Sequence, residues 1–462
     1  MDGVAPRPGR CNMRLCMSPT NPPASLLGPE HLARLDELLG GEPSVRALPV
    51  RAAPVHVVYG GAHLFKATTV GKLGALARQS LDEYSPGGDD ELAAAFGLPA
   101  TVAGLRRRVA DKLAREPVED YRIDFEDGYG QRPDEEEDGH ADACALEVAQ
   151  AAREGLLPAG CGIRIKSLAT PTRQRALRTL DRFFGALRAV PGGYGVPPAG
   201  FVVTLPKVTR GAEPAALAHA LGAIESAANW PQGSIGIELM IETPEAIVAH
   251  DGRLAPRSLV EAAGGRCVAV HFGTYDYTAS LGVASVAQRP DHGACQLARR
   301  LLVVALAGTS VRVSDGATTT LPVAPHRAKD ALTDGQRSEN RAAIQAAWSL
   351  HTGYITAALT DGIYQGWDLH PAQLPARYVA VFAFFRAAAP AAGERLRNFL
   401  DRAAQASRLG TSFDDAATGQ GLLNLFRRAL SSGALDADEV SRLTGLSPEA
   451  LTARSFDELV AR

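Results

Sequence analysis

Two acidic residues follow neighbouring apolar runs of the sequence and could share one metal ion. Glu242 comes directly after IELMI, and Asp276 comes after VHFGTY. Two protein carboxylates, completed by substrate oxygens and water, are the usual ligands of a hard cation such as Mg²⁺. The same two residues could instead cap the helices expected at Thr243-Pro244 and after Asp276. The spacing alone leaves both interpretations open.

Other charged residues also stand where apolar runs end. Arg164 lies inside GIRIK and keeps its charge, so it needs a carboxylate or phosphate partner. We expect a substrate carboxylate there, with an ion pair to Asp124 or Glu126 as the alternative. Lys207, which follows LP, is either an ion-pair partner or a Schiff-base nucleophile. The nearby acids disfavour the nucleophile, because they oppose the lowered pKa that it requires.

The elements that would hold these residues are eight short apolar runs alternating with alanine-rich segments. This alternation is typical of parallel βα units, and eight of them predict a (βα)8 TIM barrel of the α/β class. An open doubly wound sheet is the rival, but no G-x-G-x-x-G opens a helix. Catalytic groups lie at the carboxyl ends of barrel strands, where the charged residues above stand. The runs are 55–59, 121–125, 162–166, 201–205, 235–241, 267–272, 310–313 and 362–366, and helices are expected at 142–154, 172–189, 213–229 and 339–360.

The remaining segments suggest how the domains are divided. Residues 126–140 are too polar for a core, so we expect a long loop after the second strand. From about residue 376 the pattern is purely helical. Its stretch ALDADEVSRLTGLSPEAL resembles a helix-turn-helix but is more typical of two short packed helices. We predict a flexible tail over 1–30, the barrel over 31–375 and a small helical C-terminal region over 376–462.

Composition and charge exclude several classes of protein. With 462 residues, 46% of them hydrophobic and 21% charged, the chain can form a large packed domain with an appendage. A net charge of -3 with mixed signs provides no broad cationic face for nucleic acid. No apolar run approaches the roughly 20 residues that span a membrane. The N-terminus lacks a secretion-signal core, and the six cysteines show no zinc spacing, so we expect a cytoplasmic protein with reduced thiols.

Six motifs stand in order at the expected strand ends: IDFEDGYG, IRIKS, LPKV, MIETPEAI, HFGTYDYTASLG and WDLHPAQL. Together they cover about residues 121–375. They resemble the citrate lyase β-subunit and HpcH/HpaI aldolase family, a branch of the phosphoenolpyruvate/pyruvate barrel superfamily that also includes malate synthase. Any one motif is short, but six in the family's order favour membership of the superfamily.

The resemblance implies a carbon–carbon lyase or aldolase that depends on Mg²⁺, or on Mn²⁺ in its place. Its substrate would be a 2-oxoacid or a hydroxyacyl thioester, cleaved through an enolate that the metal stabilises. A homo-oligomer is also implied. Glu242 and Asp276 would bind the metal, and Arg164 would hold the substrate carboxylate or the enolate. Glu126, Asp127 and Lys207 would complete the substrate site, and His370, Pro371 and Gln373 would close the barrel.

Several features depart from the lyase pattern, and one further motif leaves an alternative function open. Lys166 stands where the citrate lyase strand has asparagine. SFDDAAT, at 412–418, resembles the acidic motif of malate synthases, which makes Asp415 a candidate general base. The alternative is a purely structural role, in which Asp415 caps the helix that follows. An alternative function is therefore condensation of an acyl-CoA with a 2-oxoacid. A third is a metabolite-binding barrel without turnover.

Overall fold

The computed structural model describes residues 53–327, 331–408, 416–453 and 456–460. Eight parallel strands form a closed barrel in sequence order, with β8 paired to β1 through His56 opposite Gly366. The predicted (βα)8 barrel is confirmed, and the open doubly wound sheet is wrong. The strands are β1 His56–Gly61, β2 Asp120–Asp124, β3 Gly160–Arg164, β4 Val202–Leu205, β5 Gly236–Ile241, β6 Cys267–Phe272, β7 Arg312–Ala317 and β8 Gln365–Asp368.

Helices surround the barrel and continue beyond its last strand. The four predicted helical segments coincide with observed helices and extend beyond them by no more than one residue at either end. The helices are α1 Thr69–Tyr84, α2 Asp89–Ala95, α3 Leu105–Arg115, α4 Asp134–Glu154, α5 Arg173–Arg188, α6 Ala212–Ala228, α7 Pro256–Ala262, α8 Thr274–Ser280, α9 Gly293–Leu306, α10 Asp334–Thr360, α11 Leu374–Arg408, α12 Ala416–Ser432, α13 Ala437–Thr444, α14 Pro448–Ala453 and α15 Phe456–Val460.

The expected long loop over 126–140 is wrong in its second half, because α4 begins at Asp134. Four acidic residues fill the first turn of that helix, where negative charge is favoured by the helix dipole. Glu137 and Asp138 are buried although both are acidic. Arg178 pairs with Asp138, and Lys166 pairs with Glu137 at 2.6 Å. The polarity of this run predicts a loop, but its second half is helical because ion pairs compensate the charges of its buried acids.

The interior of the barrel is charged, whereas such interiors are usually filled by bulky branched side chains. On β2, Tyr121 and Ile123 face the helices and belong to the apolar core. The alternate residue Arg122 points inward and donates to both carboxylate oxygens of Glu238 on β5, at 2.7 and 2.6 Å. Asp120 accepts a further bond from Arg122 at 3.0 Å. The interior is thus held together by a buried ion-pair network.

The chain after β8 is helical, as predicted. The helix α11 packs against α10 and α12, and α13 also lies on α11. The stretch that resembles a helix-turn-helix forms α13 and α14, two short packed helices, with a capping box at Asp436 and a left-handed Gly445 that ends α13. The domain boundaries stay a prediction. Within the described residues, no helix has both the length and the apolarity needed to cross a membrane.

Candidate active site

Glu242 lies at the carboxyl end of β5 and is 2% exposed. The backbone N–H of Lys207 donates to its Oε1 at 2.7 Å. Lys207 has a φ of 53°, a left-handed backbone conformation that side-chain-bearing residues rarely adopt and that often accompanies function. A Cβ on Gly273 would lie 2.4 Å from Oε2 of Glu242, so only glycine fits beside this carboxylate. Both backbone features therefore hold the Glu242 carboxylate in place.

Asp276 is half-buried in the first turn of α8, and its charge acts on Glu242. Burial, and then the charge of Asp276, raise the pKa of Glu242 to about 8. Neither carboxylate forms an ion pair with any described lysine, arginine or histidine. The capping alternative is not observed: Thr243 caps the helical turn after Glu242, and the N-cap of α8 is Gly273, which has no side-chain cap. These two acids repel one another, and the charge of Arg164 offsets only part of the rise in the pKa of Glu242.

Arg164 is oriented by contacts on its edges and on its face. Its Nε and Nη2 donate to Asp124 at 2.7 and 2.5 Å, and its Nη1 lies 3.2 Å from Glu126 Oε2. The predicted alternative, an ion pair with Asp124 and Glu126, is therefore formed. The guanidinium also lies 5.0 Å from the ring of Tyr59 and 5.4 Å from that of Trp367. Of its five N–H groups, about two stay free for a substrate oxygen.

Lys207 bridges the acids that follow β2. Its Nζ pairs with Glu126, and it lies 3.1 Å from Asp127 Oδ1. Burial opposes the charged form, but the hydrogen bond and the charge of Glu126 outweigh it and raise the pKa of Lys207. A raised pKa keeps the ammonium protonated and disfavours the Schiff-base interpretation. Lys207 is an ion-pair partner whose backbone and side chain join β4 to Glu242 and to Glu126.

Lys166, which departs from the lyase pattern, anchors the loop that carries Glu126 and Asp127. Its Nζ donates to the carbonyl of Phe125 at 2.7 Å and pairs with Glu137. At the same end, the Asp124 carboxylate accepts the N–H of Glu126 at 2.9 Å. Lys166 and Asp124 therefore both hold the start of this loop in place. Sequence reasoning missed Glu137, since it lay in the segment read as a loop.

A polar column lies beneath Arg164 and was also missed. The hydroxyl of Tyr59 is 2.9 Å from Nδ1 of His271, whose Nε2 is 3.4 Å from Glu238. The rings of Tyr59 and Trp367 are 4.4 Å apart and form a platform under the guanidinium. The alternation of polar and apolar residues in DYRID and GIELMI was the available signal, because inward and outward positions alternate along a strand. This column links the interior ion pairs to the mouth of the barrel.

The other motif residues have structural partners or lie outside the described residues. Gln373 accepts the N–H of Leu369 at 2.8 Å and donates to the carbonyl of Thr318 at 2.9 Å. His370 caps the short turn at Pro371–Gln373. These bonds tie the end of β8 to the segment after β7. Asp415 lies outside the described residues.

The site's donors can be tested against the chemistry of Mg²⁺. Glu242 and Asp276 offer oxygen only, and their mutual repulsion would be relieved by a divalent cation. No cluster of three or more histidine, cysteine or acidic side chains with metal-site geometry occurs in the described part of the chain. Mg²⁺ commonly takes one or two protein carboxylates and completes its shell with water and substrate. Glu242 and Asp276 therefore fit this ion.

The fold and the arrangement at its mouth define a (βα)8 barrel with its charged residues at the carboxyl ends of the strands. The chain belongs to the family described as Domain of unknown function (DUF6986), whose model matches residues 41–459. No curated protein matches the sequence.

The chain is similar to several solved structures. A citrate lyase from Burkholderia xenovorans LB400 has a TM-score of 0.53 at 20% identity, covering 85% of this chain and 96% of its own. The malate synthase of Haloferax volcanii with magnesium and glyoxylate has a TM-score of 0.45 at 16% identity, and the match covers 89% of this chain and 99% of that one. A citrate lyase beta subunit from M. tuberculosis, complexed with oxaloacetate and magnesium, has a TM-score of 0.36 at 16% identity. The match covers 72% of this chain and 98% of that subunit. The predicted resemblance is confirmed at the level of the fold, which by itself does not establish function.

Proposed function

We propose that this protein is a Mg²⁺-dependent carbon–carbon lyase or aldolase that acts on a 2-oxoacid or a hydroxyacyl thioester through an enolate. One observation carries the proposal. At the catalytic end of the barrel, the charges of Asp276 and Arg164 both act on the buried Glu242 carboxylate, and neither acid forms an ion pair with a described cation. Two acids without an ion-pair partner, near a guanidinium, are suited to bind a divalent cation together with an anionic substrate.

The residues of the chain divide the work by charge. A Mg²⁺ ion bound to Glu242 and Asp276 would act as a Lewis acid toward the carboxylate and carbonyl oxygens of an oxoacid. Arg164 would donate its free N–H groups to the substrate oxygen on which negative charge develops. Its other N–H groups are held by Asp124 and Glu126, so its orientation is set before the substrate binds. Preorganised donors of this kind do not have to reorient during the reaction.

Lys207 and the loop after β2 would shape the entrance. The ammonium of Lys207 balances the negative charges of Glu126 and Asp127, and Glu126 in turn holds one edge of the Arg164 guanidinium. Its backbone N–H fixes one oxygen of Glu242, which leaves the second oxygen as a ligand. The side chains of Lys207 and Asp127 are partly exposed, at 34% and 57%, and therefore border the opening. We infer that this border admits the substrate.

Enolisation can be followed without knowing the leaving group. Deuterium exchange into pyruvate, oxaloacetate and short acyl-CoAs is measured by NMR with Mg²⁺ and again after EDTA treatment. We expect exchange in at least one oxoacid only when Mg²⁺ is present, and a loss of about 100-fold or more in Glu242→Gln and Asp276→Asn.

The matched controls are Glu261→Gln and Asp251→Asn, whose side chains are 68% and 58% exposed. Both should keep the exchange rate of the parent protein. Exchange that persists in EDTA or in Glu242→Gln would contradict the proposal. Oxoacid binding without any exchange would instead favour the metabolite-binding alternative.

A further inference from the structure

The amino-terminal end of the barrel, opposite the proposed catalytic end, contains a cavity of about 220 Å³. It lies between the connection from α9 to β7, the start of β8 and the helix α12. Arg312 from β7 and Arg428 from α12 both line it, and none of its lining residues is acidic. The cavity therefore has a positive wall and no built-in negative charge.

The Arg428 side chain has no ion pair or hydrogen bond to a described residue, and its backbone carbonyl accepts a bond from the Ser431 hydroxyl at 3.2 Å. Its guanidinium instead lies 4.5 Å from the ring of Tyr364. Burial, and then the positive charge of Arg312, lower the pKa of Arg428. A guanidinium can hardly lose its proton at neutral pH, so its charge stays in a setting that penalises it. The cost is relieved when an anion enters.

Arg312 is only weakly compensated. Its Nη2 lies 3.8 Å from Oε1 of Glu238, and its Nε has no hydrogen-bond partner among the described residues. Glu238 is already engaged by both N–H donors of Arg122 and accepts from Thr204 at 2.9 Å. Glu238 and Asp120 together compensate Arg122, whereas Arg312 has only the longer contact with Glu238 and the nearby Arg428 has no ion pair with a described residue. A net positive charge is left beside the cavity.

We propose that this cavity is a second binding site, for a small oxyanion, with Arg312 and Arg428 as its ligands. Guanidinium groups bind phosphate and carboxylate oxygens through paired N–H donors, and two of them facing one cavity favour a dianion. The volume suits an ion of the size of inorganic phosphate. The site shares no residue with Glu242, Asp276 or Arg164, so it stands independently of the proposed catalytic activity.

The test uses the full-length protein in EDTA, so that metal binding at the other end does not contribute. Binding of inorganic phosphate and of succinate is measured by calorimetry and by the shift of Tm, with KCl at equal ionic strength as reference. We expect one of the two anions to bind and to raise Tm beyond the KCl reference. The anion with the greater affinity identifies the ligand as a phosphate or a carboxylate.

The variant Arg428→Gln distinguishes binding from packing. It should bind the anion at least about tenfold more weakly, a loss of one charged hydrogen-bonding partner. Without anion it should be no less stable than the parent, because a buried charge without an acid has been removed. Arg312→Gln should weaken binding in the same direction, and Arg253→Gln, 87% exposed on a distant loop, should leave it unchanged.

Three results would overturn the proposal. The first is an equal rise of Tm in KCl, which indicates general screening. The second is the absence of binding by both anions. The third is an Arg428→Gln protein that loses stability in anion-free buffer yet keeps the full response to the anion, which would give Arg428 a packing role on Tyr364.

Discussion

Glu238 lies on β5 and Glu242 directly follows the strand four residues later, and both are buried, with exposed fractions of 0% and 2%. Burial works against the charged form of each. The charge of Arg122 nevertheless holds the pKa of Glu238 well below its usual range, whereas Asp276 helps raise that of Glu242 to about 8. Similar burial therefore gives opposite outcomes, because Glu238 is hydrogen-bonded to a guanidinium whereas the charge of Arg164 offsets only part of the effect on Glu242. Glu238 belongs to the scaffold, and we propose that Glu242 binds an external cation.

The largest effect is expected from breaking the scaffold pair. Arg122→Leu leaves Glu238 and Asp120 buried without their main cation, and it should cost about 3–5 kcal/mol in the free energy of unfolding. Urea denaturation measures this change. Arg257→Leu is the control, because Arg257 forms an exposed pair with Glu261 at 3.4 Å and its loss should cost under about 1 kcal/mol. Similar losses in both variants would remove the distinction between the two glutamates.

Glu242→Gln should act in the opposite direction when metal is absent. The folded pKa of Glu242, about 8, lies above its unfolded value, so the folded protein retains a proton that the unfolded chain gives up. Stability from this proton is present at low pH and is lost as the pH rises toward 8. Above that pH, Glu242→Gln in EDTA should be roughly 1–3 kcal/mol more stable than the parent.

The measurement is the free energy of unfolding between about pH 5 and pH 9, with Glu261→Gln as the exposed control. The advantage of Glu242→Gln should grow with pH, and Mg²⁺ should reverse it by stabilising the parent alone. An advantage that does not change with pH would mean that the Glu242 carboxyl group does not titrate in this range.

The platform under Arg164 offers a smaller and separable effect. Tyr59→Leu removes the ring beneath the guanidinium and should lower kcat/KM about tenfold, mainly through kcat, if enolisation is the reaction. Tyr59→Phe keeps the ring and loses the hydroxyl, which contacts His271 at 2.9 Å and Met240 Sδ at 3.8 Å. It should cost about 1 kcal/mol of stability with little change in rate. Equal rates in the two variants would show that the ring does not position Arg164.

Asp415 should have the smallest effect under the proposed lyase reaction. Asp415→Asn should leave exchange into oxoacids unchanged. The malate-synthase-like alternative instead requires Asp415 to take a proton from the acyl methyl group, so the same variant would then lose exchange into short acyl-CoAs. NMR of both substrate types in one series measures this difference.

The sequence predicted much of the architecture but only some of the contacts among the site residues. Strand ends could be located because apolar runs stop there, which identified Glu242, Asp276 and Arg164 as neighbours at the mouth of the barrel. The partner of Arg164 was left open, because Asp124 and a substrate carboxylate offer the same chemistry. Glu238 was missed since a polar residue within GIELMI gives no sign of the distant Arg122 that neutralises it. Local sequence patterns do not show which distant residue neutralises a buried charge.

Secondary-structure boundaries failed for a related reason. β7 extends to Ala317 through the polar stretch SDGA, which no apolar pattern indicates, and β8 starts at Gln365, three residues after the expected Gly362. Gly362 has a φ of 84° and forms the turn before the strand. Pairing with neighbouring strands defines these ends, and such pairing is non-local.

Calorimetric titration with Mg²⁺, at neutral pH in two buffers of different ionisation enthalpy, tests most directly whether Glu242 and Asp276 form a metal site. The account predicts one Mg²⁺ per chain and the release of a proton from Glu242 on binding. It further predicts affinity at least about tenfold lower in Glu242→Gln, a change of about 1.4 kcal/mol. Mg²⁺ binding of unchanged affinity in Glu242→Gln, or no binding even with an oxoacid present, would contradict it.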